Sequence, residues 1–401
     1  MDLHDDARSL QPDLAALRRD LHREPEVGLE LPRTRDRVLT ALQGLPLEVS
    51  TGTATTSVTA ILRGGAAREA DGPVVLLRGD MDGLPVDEAS GEDFAAGTGT
   101  MHACGHDLHT SALVGAAQLL SAHRDRLAGD VAFMFQPGEE GFDGAGRMID
   151  EGVLEAAGRR ADHAYALHVF SNRIPRGVVT TRPGVFLSAS HGLDVTVRGA
   201  GGHGSNPHTA RDPIAAAAEM IIALQTMVTR RFDVFDPVIL TVGVVSAGTR
   251  RNVIPDTARF EATVRSFSDA HAALLPRLVR EVCDGVAAAH GVQVDVEWRD
   301  EYPRTVNDAD EAAFAAGVTS ELLGEERFAL APDPVSGSED FSKVLAAIPG
   351  AFLGMGACPP DTDPSRAPMN HSSRARFDDD VLGDAAALYA ALAASRLVGA
   401  R

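Results

Sequence analysis

Residues 100–110 read TMHACGHDLHT and bring one cysteine, three histidines and an aspartate within eleven positions. Packing alone does not account for His102, Cys104, His106 and His109, because imidazole and thiolate are costly to bury without a partner, and both are ready metal ligands. The pattern Leu108, Ala112, Leu113, Ala116, Leu119, Leu120 then recurs at three and four residues, which predicts a helix over 106–126. Cys104 and His106 fall at or just before its first turn. There the unpaired amides and the positive end of the helix dipole favour the thiolate, the form of cysteine that binds metal.

Outward from this stretch, short apolar runs each end in a residue of ligand type. Upstream, VVLLRG after Gly72 and Pro73 reads as a strand buried in a parallel sheet and closes at Asp80 and Asp82. Downstream, 131–135 (VAFMF) leads through Gln136, Pro137 and Gly138 to Glu139 and Glu140. The segment 164–167 (AYAL) ends at His168, and 351–355 (AFLGM) precedes a loop carrying His371. In open α/β sheets the site lies outside the carboxyl ends of the strands, so four strands deliver these groups to one edge. Helical patterns over 106–126, 144–157, 308–323, 339–347 and 378–397 alternate with the strands, which predicts an α/β domain with a central, mostly parallel sheet and helices on both faces. Leu10, Leu14, Leu17 and Leu21 mark an amphipathic helix that stops at Glu24 and Pro25, and 32–43 repeats the pattern more weakly.

Between 187 and 300 the texture changes. Strands over 191–198, 238–246, 258–266 and 293–298 enclose helices over 213–230 and 269–289, in the order βαββαβ of a ferredoxin-like α+β sandwich. The expected organisation is therefore a discontinuous α/β domain, 1–186 with 301–401, interrupted by an inserted domain, 187–300. Within the insert, Asp212 and Pro213 mark a helix start, and Gly199, Gly201, Gly202 and Gly204 are expected to let the backbone approach a ligand around His203. The turn 248–255 (GTRRNVIP) offers Arg250, Arg251 and Asn252 as donors to a carboxylate. No internal repeat is evident.

The chain has 401 residues, 44% hydrophobic and 23% charged, enough for more than one domain. Its net charge of -20 argues against a nucleic-acid partner, which would want a basic face. Three cysteines at 104, 283 and 358 form no disulfide framework and suit a reducing compartment. The acidic start MDLHDDARSL is unlike a signal peptide, and no apolar run reaches the length of a membrane span, so a cytoplasmic protein is expected.

Taken together, RGDMDGLPV, MHACGHDLHT, FQPGEEG with GAGRMIDEGVL, ALHV, SHGLDVTVRGAGGHGSNPHTARDPI, NVIP, GSEDF and NHSSRARFDDD resemble the M20 metallopeptidase family. The likeness is greatest to its aminoacylase branch of hippurate hydrolases, N-acyl-amino-acid amidohydrolases and auxin-conjugate hydrolases, and it runs from about residue 21 to 382. The resemblance implies two divalent metal ions, zinc, manganese, nickel or cobalt, held by Cys104, His106, Glu140, His168 and His371. It implies Glu139 as general base and Asp82 as the residue that orients a ligand. His203 would reach the substrate carbonyl oxygen, in this family often from the partner subunit, and Asn252 would help hold the substrate carboxylate. The inserted domain would serve as lid and dimerisation surface, in a homodimer or higher homo-oligomer. The implied reaction is hydrolysis of the amide of a small N-acyl amino acid. The alternatives are a dipeptidase or carboxypeptidase on the same fold, or a catalytically silent relative that binds metal or small acids. A zinc deaminase would pair H-x-E with P-C-x-x-C, and that pairing is absent. His102, Asp107 and His109 flank the implied ligands without an assigned role. Phe186 with Leu187, and SSRAR over 372–376, depart from the family pattern.

Overall fold

The computed structural model describes residues 1–66 and 72–398. The contacts divide the chain into two compact units: Met1–Phe186, Val306–Asp333 and Asp340–Arg401 form one, Leu187–Thr305 and Pro334–Glu339 the other.

The first unit is built on an eight-stranded sheet in the order Leu47–Thr51, Val58–Leu62, Asp130–Gln136, Val74–Asp80, His163–Phe170, Gly350–Gly356, Val179–Thr181, Phe328–Leu330. Its centre is parallel: Val74–Asp80 pairs in parallel with both Asp130–Gln136 and His163–Phe170, and the last of these with Gly350–Gly356. Every residue of Val74–Asp80, Asp130–Gln136 and Gly350–Gly356 is buried, as strands covered on both faces must be. One side of these strands, with Leu77, Phe133, Leu167 and Leu353, joins Leu14, Leu113 and Leu388 in the main core cluster. Those leucines come from the helices Leu3–Arg23, His106–Ala122 and Leu382–Leu397. The last of these is rich in alanine, and its short side chains allow close packing on all sides.

Several expectations shift in detail. The helix expected over 339–347 is reduced to Ser342–Leu345. Asp340 is occupied outside it as an acceptor for the Ala145 amide, and Pro349 and Gly350 stop the chain soon after. The helix over 144–157 ends at Asp150, because Gly152 takes φ 87° and only a 3-10 turn, Val153–Glu155, follows. The strand Leu47–Thr51 lies outside the expected elements: its Leu47–Val49 alternation is only two apolar residues long, and four of its five residues are exposed.

The second unit is a four-stranded antiparallel sheet in the order Val238–Ala247, Thr257–Ser266, Ala189–Arg198, Gln293–Tyr302. Alternate burial along Thr257–Ser266 turns Phe260 and Val264 toward Met220 and Leu224 of the helix Pro213–Arg231 and Leu278 and Cys283 of the helix Asp269–His290. The pattern alone ends this unit at 300, whereas the contacts extend it to Thr305 and add Pro334–Glu339. The reason for the second addition is local: the Ser188 amide donates to the carbonyls of Val335 and Gly337, and Arg265 Nη1 donates to Ser338 Oγ.

One buried carboxylate ties the first unit together away from its ligand-bearing edge. Glu311, on the helix Ala309–Leu323, meets His163 Nδ1 at 2.8 Å, Arg396 Nη2 at 2.6 Å and the Tyr165 hydroxyl. Burial alone would raise its pKa, but the hydrogen bonds from His163 and Tyr165 and the charges beside it hold it down to about 2. The group is depressed in the folded state, so its contribution is present above the ordinary carboxylate pKa and is lost as pH falls toward 2. Glu311→Gln should lower unfolding stability by about 1–3 kcal/mol at pH 7. In urea titrations across pH, the gap to wild type should close between about pH 5 and pH 2; a gap that stays constant or widens on acidification would refute this.

Candidate metal centre

The groups singled out in the sequence come from the carboxyl ends of the central strands and the helix start between them. Gly105 is the N-cap of His106–Ala122 with φ 88°, a left-handed conformation that reverses the chain between Cys104 and His106. A Cβ there would lie 2.5 Å from Val169 Cγ2 and 3.1 Å from Phe377 Cε1, so glycine is required on two counts. Both neighbours of Gly105 can thus face the same space.

Asp82, just past the strand Val74–Asp80, is 1% exposed and fully committed. Its Oδ1 accepts from the Glu139 amide at 3.1 Å and its Oδ2 from the Glu140 amide at 3.0 Å, while His106 Nδ1 stands 3.3 Å from Oδ1. One carboxylate therefore holds the loop after Asp130–Gln136 against the start of the helix. His168 Nδ1 donates to the Val169 carbonyl at 2.8 Å. A carbonyl can only accept, so in the neutral ring Nε2 carries the lone pair, and it points at Cys104 Sγ, 3.3 Å away. Burial, reinforced by His109, pushes the His168 pKa well below the usual range, which keeps the ring in that ligand form. His371, at φ 70°, places Nε2 3.3 Å from Cys104 Sγ and 3.0 Å from Glu140 Oε1.

Cys104, His106 and His168 offer atoms within 4.8 Å of one another; so do Cys104, Glu140 and His371, and so do His106, Glu139 and Glu140. Cys104, His106 and Glu140 each belong to two of these groups. The donor chemistry fits divalent cations: one soft thiol, neutral imidazole and carboxylate. Two buried atoms support the fit. Glu140 Oε1 and His106 Nε2 lack a well-aligned hydrogen bond although partners stand near, as atoms do when they face a common point instead of each other. The electrostatics agree. Contacts with Cys104 and Glu140 raise His371 to about 10. Burial opposes protonation of His106, but Asp80 and Cys104 outweigh it and hold its pKa well above the ordinary histidine value. Anionic groups here draw in positive charge, which a cation supplies as well as protons do.

The histidines left open by the sequence now have places. His109 bridges Asp80 Oδ1, at 2.6 Å from its Nδ1, and the Val169 amide, which donates to its Nε2 at 2.7 Å. It therefore fixes the backbone directly after His168. Asp107 faces away from the ligands: its Oδ2 lies 2.7 Å from His22 Nδ1 and 2.7 Å from Arg18 Nε. Neither ring nitrogen of buried His102 has a hydrogen-bond partner among the described residues, and desolvation brings its pKa down to about 3.

The sequence reading passed over the layer beneath. Arg78 is 1% exposed and reaches Asp80 Oδ2 at 2.8 Å, Gln136 Oε1 at 2.8 Å and Asp340 Oδ1 at 3.3 Å. An arginine in an otherwise apolar strand was the available signal, since a buried guanidinium requires carboxylate partners.

His203 and Asn252 lie in the second unit, where the two-residue strands Gly202–His203 and Val253–Ile254 pair. The Gly204 amide donates to the Asn252 carbonyl at 2.9 Å. His203 is exposed, and its Nδ1 accepts from the Ser205 amide at 3.2 Å and lies 2.7 Å from Ser205 Oγ, which leaves Nε2–H as an outward donor. Two of the surrounding glycines, Gly199 and Gly201, are needed by the chain itself. A Cβ on Gly199 would meet the Arg211 carbonyl at 2.0 Å, and one on Gly201 the Ile254 carbonyl at 2.7 Å.

Gly105→Ala should destabilise the protein by about 2–4 kcal/mol, combining the left-handed backbone penalty with overpacking against Val169. Chemical denaturation would measure this, and a loss below about 0.5 kcal/mol would show that the turn tolerates a side chain.

Comparison with known proteins gives the family. Residues 76–395 match the family described as Peptidase family M20/M25/M40. The chain is 35% identical over 389 residues to an IAA-amino acid hydrolase ILR1-like 2 of Arabidopsis thaliana, covering 96% of this chain and 85% of that protein. It is 35% identical over 345 residues to an N-acetylcysteine deacetylase of Bacillus subtilis, covering 86% and 88%. Among solved structures, the YXEP protein of Bacillus subtilis, described as a dinuclear metal binding peptidase from the M20 family, superposes with TM-score 0.80 at 31% identity over 97% of this chain and 99% of that one. With more than half its length matched by the family and full-length relatives above 30% identity, this chain belongs to the M20/M25/M40 peptidase family.

Proposed function

We propose that this protein is a metal-dependent amidohydrolase that cleaves the amide bond of N-acyl-L-amino acids to a carboxylic acid and a free amino acid. The observation that carries the reading is the convergence of Cys104, His106, Glu140, His168 and His371, with the Glu139 carboxylate within 4.8 Å of His106 and Glu140. The names of the relatives, an IAA-amino acid hydrolase and an N-acetylcysteine deacetylase, support amide-linked amino acids as the substrate class.

In this proposal Cys104, His106, Glu140, His168 and His371 would together hold two divalent ions. Zinc, manganese, nickel and cobalt all suit sulfur, imidazole and carboxylate donors. Ions so held polarise the amide carbonyl and make water a competent nucleophile at neutral pH. Glu139 takes the proton from the attacking water and returns it to the amine nitrogen as the C–N bond breaks. Its neighbour Glu140 is committed to metal, and Asp82 keeps the two in fixed relation through their amides. His203 donates its Nε2–H to the carbonyl oxygen as charge develops there, a role the tautomer set by Ser205 favours. Asn252 helps to hold the substrate carboxylate.

The same reading extends to assembly and location. The edge strand Val238–Ala247, though irregular in register between Val242 and Val244, exposes Ile239, Val244 and Val245, apolar side chains of the kind that a second copy covers, which supports a homodimer or higher homo-oligomer. Among the described residues no helix is long and apolar enough to cross a membrane, and the free cysteines suit a cytoplasmic setting.

Release of amine from N-acetyl, N-benzoyl and indole-acyl amino acids, alongside dipeptides, tests the proposal on apo protein reloaded with zinc, manganese, nickel or cobalt. Acyl amino acids should turn over only with metal, and Glu139→Gln should lower kcat by at least about 100-fold while leaving the metal bound. Turnover confined to dipeptides would assign a peptidase instead, and bound metal without turnover on either class would indicate a silent binder.

A further inference from the structure

Among the groups the mechanism leaves unused, Asn370 is the most fully engaged. Its Nδ2 donates to the Cys104 carbonyl at 3.1 Å and to the Val169 carbonyl at 2.9 Å. Its Oδ1 accepts from the Ser171 amide at 3.0 Å and from Ser171 Oγ at 3.0 Å. That uses both donors of the amide, while its oxygen takes the Ser171 amide and a share of the single Ser171 Oγ proton, which the Pro368 carbonyl also accepts at 2.8 Å. The orientation is fixed by the partners, since the flipped amide would set its oxygen against two carbonyls and its nitrogen against an N–H.

These partners are not arbitrary. Cys104 is itself a ligand, Val169 follows the ligand His168, and Asn370 precedes the ligand His371. The side chain of His371 is 54% exposed and its backbone stands at φ 70°, so packing does little to hold it. Beyond Asn370, the His371 amide is anchored to the Ala103 carbonyl at 2.8 Å, one residue before Cys104.

We propose that Asn370 is a positioning residue for the metal centre: its side-chain amide clasps the backbones beside Cys104 and His168 and thereby sets the distance of His371 from both. The inference rests on the metal-site reading given above. It adds that the thiol and the two imidazoles depend on one amide whose two N–H groups cannot be replaced by a carboxylate of the same shape. In Asn370→Asp an oxygen would face the carbonyls of Cys104 and Val169, repelling both, whereas Asn370→Ala removes the clasp without repulsion.

The test is zinc affinity, measured by competition with a chromophoric chelator on the full-length chain, together with thermal melting of the metal-free form. Both variants should bind zinc roughly 10–100-fold more weakly than wild type, with Asn370→Asp the weaker, and their metal-free melting temperatures should stay within about 4 °C of wild type. Zinc affinity within about twofold of wild type in either variant would overturn the inference while leaving the metal site intact. So would a metal-free form that no longer melts cooperatively, because the role would then belong to the fold at large. Wild-type protein that binds no zinc, manganese, nickel or cobalt would overturn the metal-site reading, and this inference with it.

Discussion

The ligand-bearing edge depends on the Asp82 carboxylate. It sits at the end of a central strand with 1% of its surface exposed and accepts the amides of Glu139 and Glu140 while standing beside His106. Because it satisfies two adjacent amides at once, the GEE loop has one register relative to the helix start. Without it, two buried N–H groups would be orphaned and the glutamates would be free to turn. Asp80, two residues earlier, does the corresponding work on the other side through His109, whose far nitrogen secures the amide after His168.

This arrangement concentrates negative charge. Asp80, Asp82, Glu139, Glu140 and the Cys104 thiol all lie within or just outside one buried region, and Arg78 is the fixed cation beneath it. Burying carboxylates in such number is costly unless positive charge compensates them. Burial would lift the pKa of Asp80, yet Arg78, His106 and His109 hold it well below the usual carboxylate value, so it remains an anion. A site that keeps Asp80 and Glu140 ionised and the His168 imidazole neutral is matched to divalent cations and poorly matched to an apolar ligand.

Much of this was legible in the sequence because strand ends and helix starts are local signals. The run VVLLRG with its terminal aspartates, the run VAFMF with Glu139 and Glu140, and Gly105 between Cys104 and His106 are each signals confined to about a dozen residues or fewer. The short strands Val179–Thr181 and Phe328–Leu330 were not legible, since three residues carry no period. The partners within the supporting layer were not legible, for a different reason. Arg78 meets Asp340 across 262 positions and Asn370 meets Cys104 across 266, pairings that only the folded chain creates. Gly199 and Gly201 near His203 show how ambiguous such a signal is. Glycine signals close approach without saying to what, and here the approaching group is the chain's own backbone.

In the proposed function these strand ends would hold two cations with Cys104 among the ligands, and X-ray absorption at the metal edge of zinc-loaded protein tests that most directly. The account predicts a zinc–sulfur distance of about 2.3 Å alongside nitrogen and oxygen neighbours, and a metal–metal feature at about 3.5–4 Å. The sulfur signal should disappear in Cys104→Ser. A spectrum with only light-atom neighbours and no second metal, in protein shown to contain zinc, would contradict it.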